Sequence, residues 1–383
     1  MSVYENAKSF WKQFASRQPE IEQALTDKDY PGLMHALEPL QEEATNLTGC
    51  GYFVEDAADQ FEMTFDPGPN KTSQYLARYF TELCPPEILA KWIVNPVLMP
   101  LSQKAIEAQV QIRDQVYTLA DFHVFYTIDQ QSQTFQCRVY CPGYTLIDNE
   151  ENKKEMSMYL LELSVGQTLY EAYIGRVEFA DQPPEEKMEF SNLVDFYEAI
   201  MTVVERDNWK TYRSPLEIYS VYQPFQDFAH DSLRKDMKII FTTHPLLAEE
   251  TLGSTSDVLL DLKAKDGEFG YVYYANPFNG KDDALLRQEL SRQLDKTMTQ
   301  LHAGQVIGGA MGKSYSYIDW IVYDRTKFMK AFNQLKKQLD DKVELHYQTF
   351  GITENNGQTT VTQIHDQDEG DDNPDTDSGL ELH

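Results

Sequence analysis

Between Val306 and Asp324 the chain reads VIGGAMGKSYSYIDWIVYD, and its Gly312-Lys313-Ser314 matches the end of a phosphate-cradling loop. Such a loop requires G-x-x-x-x-G-K-[ST], followed by a helix whose N-terminal amides face the phosphates. Five positions before Gly312 stands Ile307, and the available glycines, Gly308 and Gly309, are four and three positions back. The loop is one residue short. The residues after Ser314 do not suit a helix either: Ile318, Trp320 and Val322 alternate with Asp319, Ile321 and Tyr323, the period of a strand. The glycines are therefore expected to allow a bend or bulge between Val306-Ile307 and a strand from Tyr315. Lys313, Ser314, Tyr315, Tyr317 and Asp319 then form a polar and aromatic turn, the candidate binding surface of the chain.

Other chemistry is sparse. The segment Asp257-Val-Leu-Leu-Asp261-Leu-Lys263, read as a strand, puts Asp257, Asp261 and Lys263 on one face at period two, a pattern that would suit a metal-dependent hydrolase. Asp319 is a further carboxylate that such an enzyme could draw on. No H-E-x-x-H or other paired histidine spacing occurs, and His123, His230, His244, His302 and His346 stand far from the cysteines. Cys137 and Cys141 on one strand lie about 13 Å apart, too far for a disulfide or a shared zinc ion. With no G-x-S-x-G either, no catalytic residue, metal site or cofactor is assigned.

The elements that must position these residues fall into an α+β pattern. Phe10, Trp11, Phe14, Ile21 and Leu25 recur at helical spacing, and Leu33, Leu37 and Leu40 repeat it after Tyr30-Pro31-Gly32. FEMTF alternates, a helix follows over Tyr75 to Leu83, and WIVNPVLM reads as a strand that Pro96 places at an edge or a bulge. FHVFYTI and TFQCRVYC flank D-Q-Q-S-Q and predict a hairpin. Tyr159 to Phe179 is a helix ending in a strand, and a helix over Leu193, Phe196, Ile200 and Val203 comes next. The aperiodic run between Arg206 and Pro215 places a domain boundary, giving residues 1–207 and 208–350. In the second domain MKIIF, DVLLDL and FGYVYY are expected strands, with Lys265-Asp266-Gly267 as the turn between the last two. Two helices, on Leu286 to Leu301 and Phe328 to Leu339, complete a layered α/β sandwich. Residues 351–383 are expected to be a disordered acidic tail, because their composition buries too little apolar area to offset ordering entropy.

Composition bounds the function. With 383 residues, 41% hydrophobic and 12% aromatic, the chain can build more than one core. Its 33 Lys and Arg against 62 Asp and Glu give a net charge of −29, which repels phosphate and argues against nucleic acid as a ligand. Neither the opening MSVYENAKSFWKQF nor any later segment has the apolar run of a signal or membrane span, and four scattered cysteines suit a reducing compartment, so a cytoplasmic location is expected.

Three stretches, the Phe10 to Phe14 helix FWKQF, the YLLELSVGQTLYEAYIGRVEF region and the VIGGAMGKSYSYIDWIVYD segment, resemble uncharacterised bacterial proteins in which an N-terminal Phe-Trp helix opens an α+β domain. The resemblance implies a stand-alone protein similar to immunity or accessory components found beside toxin genes, and it transfers no catalytic residue. The expectation is a non-catalytic protein-binding module whose acidic surface steers a basic protein partner. The alternative is a carboxylate- or metal-dependent hydrolase using the second domain.

Overall fold

The computed structural model describes residues 2–57, 59–101, 109–184, 188–224, 233–253, 255–278, 280–339, 343–355 and 358–365. The chain is an α+β protein. It divides into two compact units. The first holds Met1–Val221 with two returning pieces, Thr242–Pro245 and Ala264–Asp266, and the second holds the remainder. The first crossing thus lies at Val221, downstream of the residue 207 expected from composition. No helix among the described residues is long and apolar enough to cross a membrane.

In the first unit, α1 (Val3–Asp27) and α2 (Tyr30–Thr48) form a helical hairpin. Lys28 ends α1 in the left-handed conformation, and Asp29 opens α2 by accepting from the Gly32 amide at 3.1 Å. Pro31 therefore lies in the first turn of α2, where its missing N–H costs nothing. The hairpin is joined by the sheet of β1 (Gly51–Asp56), β2 (Phe61–Asp66) and β3 (Trp92–Asn95), and by α3 (Lys71–Glu82). Phe10, Trp11 and Phe14 are buried at the centre, where Phe14 meets Trp92 edge to face and Trp11 Nε1 donates to Phe80 O at 2.7 Å.

A second layer of this unit begins after the short helix α4 (Pro86–Leu89) and the hairpin of β4 (Gln109–Ile112) and β5 (Gln115–Thr118). Strands β6 (His123–Asp129) and β7 (Thr134–Tyr140) form the expected antiparallel hairpin. Helix α5 (Glu150–Tyr173) runs directly into β8 (Ile174–Ala180), and β9 (Glu189–Asn192) precedes α6 (Phe196–Arg206). The sheet order is β8-β7-β6-β9, with β8 and β9 at the edges. Val124, Tyr126, Phe135, Cys137, Val139 and Val177 turn one face into a core shared with Leu160, Leu161, Val165, Phe196 and Ile200 of the two helices. Helix α5 is broken at Gly166 (φ 76, ψ 153), where a Cβ would stand 2.7 Å from the backbone nitrogen of Pro100. Only glycine tolerates both the left-handed backbone and that approach.

The later strands are β10 (Ser220–Tyr222), which spans the division after Val221, and β11 (Met237–Thr242), β12 (Glu268–Ala275), β13 (Gly304–Gly312), β14 (Tyr315–Val322), β15 (His346–Asn355) and β16 (Gln358–His365), on which the second unit is built. They form one sheet of order β10-β11-β13-β14-β12-β15-β16. The β15–β16 hairpin falls partly in the segment expected as a tail from residue 351, and residues 366–383 lie outside the described residues. Helices α9 (Lys281–Gln300) and α10 (Arg325–Lys336) lay Leu290, Leu294, Met298, Phe328, Phe332 and Leu335 against Val272, Tyr274, Ile318, Trp320 and Val322 on one sheet face. Tyr271, Tyr273 and Trp320 are all buried.

One expected strand is a helix. DVLLDL lies in α8 (Asp257–Ala264), preceded by α7 (Pro245–Leu252), so Lys265-Asp266-Gly267 joins a helix to β12 rather than one strand to another. Leu259 and Leu262, three residues apart, are the buried positions, and Asp257 and Lys263 sit at the ends that suit the helix dipole. The deciding cap comes from the preceding helix: Glu250 accepts from the amides of Val258 and Leu259 at 2.8 and 3.1 Å.

Candidate functional site

The glycine-rich hairpin stays in strand conformation. β13 runs through Gly308, Gly309 and Gly312, with the expected bulge falling between Val306 and Gly308, and Lys313-Ser314 closes the turn to β14. The amides of Ser314 and Tyr315 point together, as in an anion-binding nest. They donate to Asp236 Oδ2 at 2.8 and 3.0 Å, while Tyr317 Oη donates to Asp236 Oδ1 at 2.6 Å and Lys313 N to Asp236 O at 2.9 Å. The turn does hold an anion, and that anion belongs to the protein.

Behind it, Arg234 forms a bidentate pair with Asp319, Nη1 to Oδ1 at 2.6 Å and Nη2 to Oδ2 at 3.3 Å, with both side chains only 7% exposed. The guanidinium lies 4.8 to 5.4 Å from the ring centres of Tyr271, Phe350 and Tyr317. Its backbone amide donates to Tyr317 Oη at 2.8 Å. Burial pushes the Tyr317 hydroxyl far above the phenol range, and its hydrogen bond to Asp236 adds to this, so it remains a donor. Four of the five expected binding residues therefore meet around Arg234 and Asp236, while the Lys313 side chain is exposed. Their charges and donors are matched to one another, which makes the cluster a clamp on the Arg234–Asp236 segment rather than an open site.

The hydrolase constellation is not assembled. On α8, Asp257 and Asp261 are one turn apart, but Lys263 is about 200° around the helix from Asp261. The period-two face expected for them does not exist, and Asp319 is committed to Arg234. Among the described residues no group of three or more His, Cys, Asp or Glu side chains is placed to hold a metal ion. All four cysteines are free and buried.

A buried polar centre that the sequence did not announce lies in the first unit. Lys71, the first residue of α3, pairs with Glu171 and donates to Gln74 Oε1 at 3.0 Å and Pro215 O at 2.9 Å. Gln167, just past the α5 break, donates to Glu171 Oε1 at 3.1 Å. Burial, with the charges of Asp66 and Glu171 added, raises Glu162 to about 7. Nearby, His244 is stacked on Tyr75 and bonded through Nε2 to Thr72 Oγ1 at 3.0 Å; burial and then the Lys71 charge lower it to about 3.

A further surface of the first unit is the outer face of the β8-β7-β6-β9 sheet. Because side chains alternate along a strand, burying Val124, Tyr126, Cys137 and Val139 turns His123, Phe125, Arg138 and Tyr140 outward. Phe190 of β9 joins them. It lies 5.8 Å from Phe125 and 6.4 Å from His123, whose ring stacks on Tyr140 at 6.2 Å, and it is 65% exposed. At the β8 edge a groove of 490 Å³ is lined by Arg138, Lys154, Arg176, Val177, Glu178 and their neighbours. Arg138 Nη2 meets Glu178 Oε2 at 3.1 Å, and Arg176 takes the other carboxylate oxygen. The sequence carries a trace of this surface: in FHVFYTI both phases of the strand are aromatic, whereas a strand with one solvated face normally alternates apolar with polar. No known protein family, curated protein or solved structure matches the chain.

Proposed function

We propose that the chain is a non-catalytic protein-binding module that docks through the outer face of its four-stranded sheet. The observation carrying this reading is Phe190, 65% exposed yet grouped with Phe125, His123 and Tyr140 on the face opposite the core. An exposed ring resting on half-buried ones forms a contiguous patch, which marks an interaction surface where a single ring does not. The net charge of −29 supports long-range attraction of a basic protein partner, and an immunity-like or accessory role is the most specific form of the proposal. The hydrolase alternative has no support from Asp257, Asp261 and Lys263, because α8 turns Lys263 away from the side that the two carboxylates share.

A photo-crosslinking side chain in place of Phe190 tests the reading in lysate of the source cell, with Met34, 70% exposed on α2, as the control position. A single adduct is expected from position 190, absent from position 34, competed by unlabelled protein and weakened about tenfold by Phe125→Ser. Equal labelling from both positions, or an adduct indifferent to Phe125→Ser, would remove the sheet face from consideration.

A further inference from the structure

We infer that the partner, basic as a whole, presents one extended, acidic stretch beside this face, which adds as a strand to the free edge of β8. The inference rests on the docking role proposed for the sheet and specifies what occupies its edge. Strand β8 is the terminal strand of its sheet, and among the described residues it pairs with β7 alone, so the other side of its backbone has no strand neighbour among them. Such an edge is a template for strand addition. The Arg176 amide is not part of that template, since it donates to Gln136 Oε1 at 3.0 Å across the bulge, which pins the register of β8.

Charge selects the occupant. Arg138, Lys154 and Arg176 line the groove against the single carboxylate of Glu178, so its walls carry a local charge of +2 on a chain whose total is −29. The neighbouring Lys153 adds nothing to this excess, because its buried ammonium already meets Asp181 at 2.6 Å. Glu178 gives one oxygen to each arginine, and the arginines remain 41% and 76% exposed. A guanidinium has five N–H donors, so each retains donors for an incoming carboxylate. Along an added strand, alternate side chains would fall on the side of Arg176 and Glu178, which calls for acidic residues at every second position. The remaining acidity of the chain opposes such a ligand only within a Debye length of about 8 Å at physiological salt.

The test uses the full-length chain and an end-blocked, fluorescent peptide of about nine residues alternating Glu with Val. Anisotropy titration is expected to show binding about tenfold tighter than for the Gln/Val counterpart, and a similar loss with Arg176→Gln/Lys154→Gln. N-methylation of alternate peptide amides, which keeps the charge and removes the strand donors, is expected to abolish binding. Equal binding of the Gln/Val or the N-methylated peptide would overturn the inference. So would competition by inorganic phosphate at the peptide's own affinity, which would make the groove a simple anion site. A chain ending at His365 lacks eight acidic residues; binding seen only with that shortened chain would identify its own C-terminal segment as the occupant and overturn the partner assignment. If crosslinking at position 190 succeeds while the peptide arms fail, only the β8 assignment falls; failure of both removes the docking role as well.

Discussion

The carboxylate of Asp236 occupies the space that a side chain at position 312 would need: a Cβ on Gly312 would stand 2.2 Å from Asp236 Oδ2. The likeness of Gly312-Lys313-Ser314 to a phosphate loop thus has a physical basis. A glycine lets an anion approach converging amides in both cases, but here the anion is an internal carboxylate delivered from a segment about 80 residues upstream. Gly312→Ala is expected to destabilise the second unit by about 1–3 kcal/mol. Asp236→Ala, which strands two amides and the Tyr317 hydroxyl, is expected to cost about 2–4 kcal/mol. Lys313→Ala, at an exposed position, should be neutral within about 0.5 kcal/mol, and urea titrations of the three variants check the order.

Position 312 also shows how far the sequence reaches. Period alone located the strands from Phe122 to Cys141 and the helices on Leu286 to Leu301 and Phe328 to Leu339, because each has one apolar face. It failed for DVLLDL, where six residues fit either period and the choice is made by Glu250 capping from another helix. The same limit applies to the sites. Tyr317 and Asp319 were legible as unusual polar residues in an apolar strand, but their partners Arg234 and Asp236 lie outside any local pattern, and long-range pairing converted an expected binding surface into a buried clamp.

The Arg234–Asp319 pair makes a second prediction. Removing one partner from a buried pair leaves an unmatched charge, whereas removing both leaves an apolar site. Asp319→Leu is expected to cost about 3–5 kcal/mol, and Arg234→Met in the same chain should recover most of that loss. Additive losses in a denaturant double-mutant cycle would show that the two side chains act independently.

The cysteines give a third. Cys50 and Cys141 are pushed up to about 11 and Cys84 to about 12, in each case chiefly by burial. Cys137 is raised further by the same cause. Since only the thiolate attacks, none of the four should react with a disulfide reagent in the native protein at pH 8, and all four should react in denaturant. A fast-reacting native thiol would show that one of these residues is reached by solvent.

The polar centre of the first unit makes stability depend on pH in two opposed ways. Glu162, at about 7, is raised above its unfolded value of 4.5 by burial and by Asp66 and Glu171. Its favourable contribution is therefore complete below pH 4.5 and is lost as pH rises through 7. His244, at about 3, is lowered from 6.5 by burial and by Lys71, so its contribution is present above pH 6.5 and is lost as pH falls toward 3. Between pH 4.5 and 6.5 the two slopes have opposite sign, and the wild-type profile is expected to be shallow there although both groups are titrating. Glu162→Gln separates them. Relative to wild type it should gain about 1–2 kcal/mol between pH 4.5 and 7.5, a figure reduced from the full shift because the side chain is only half-buried. The variant's own stability should then rise more steeply with pH from 4.5 to 6.5 than that of the wild type, because the opposing slope of Glu162 is gone and that of His244 remains. Urea unfolding at several pH values measures both quantities, and a wild-type-minus-variant difference that stays constant with pH would mean that Glu162 titrates as an ordinary surface carboxyl.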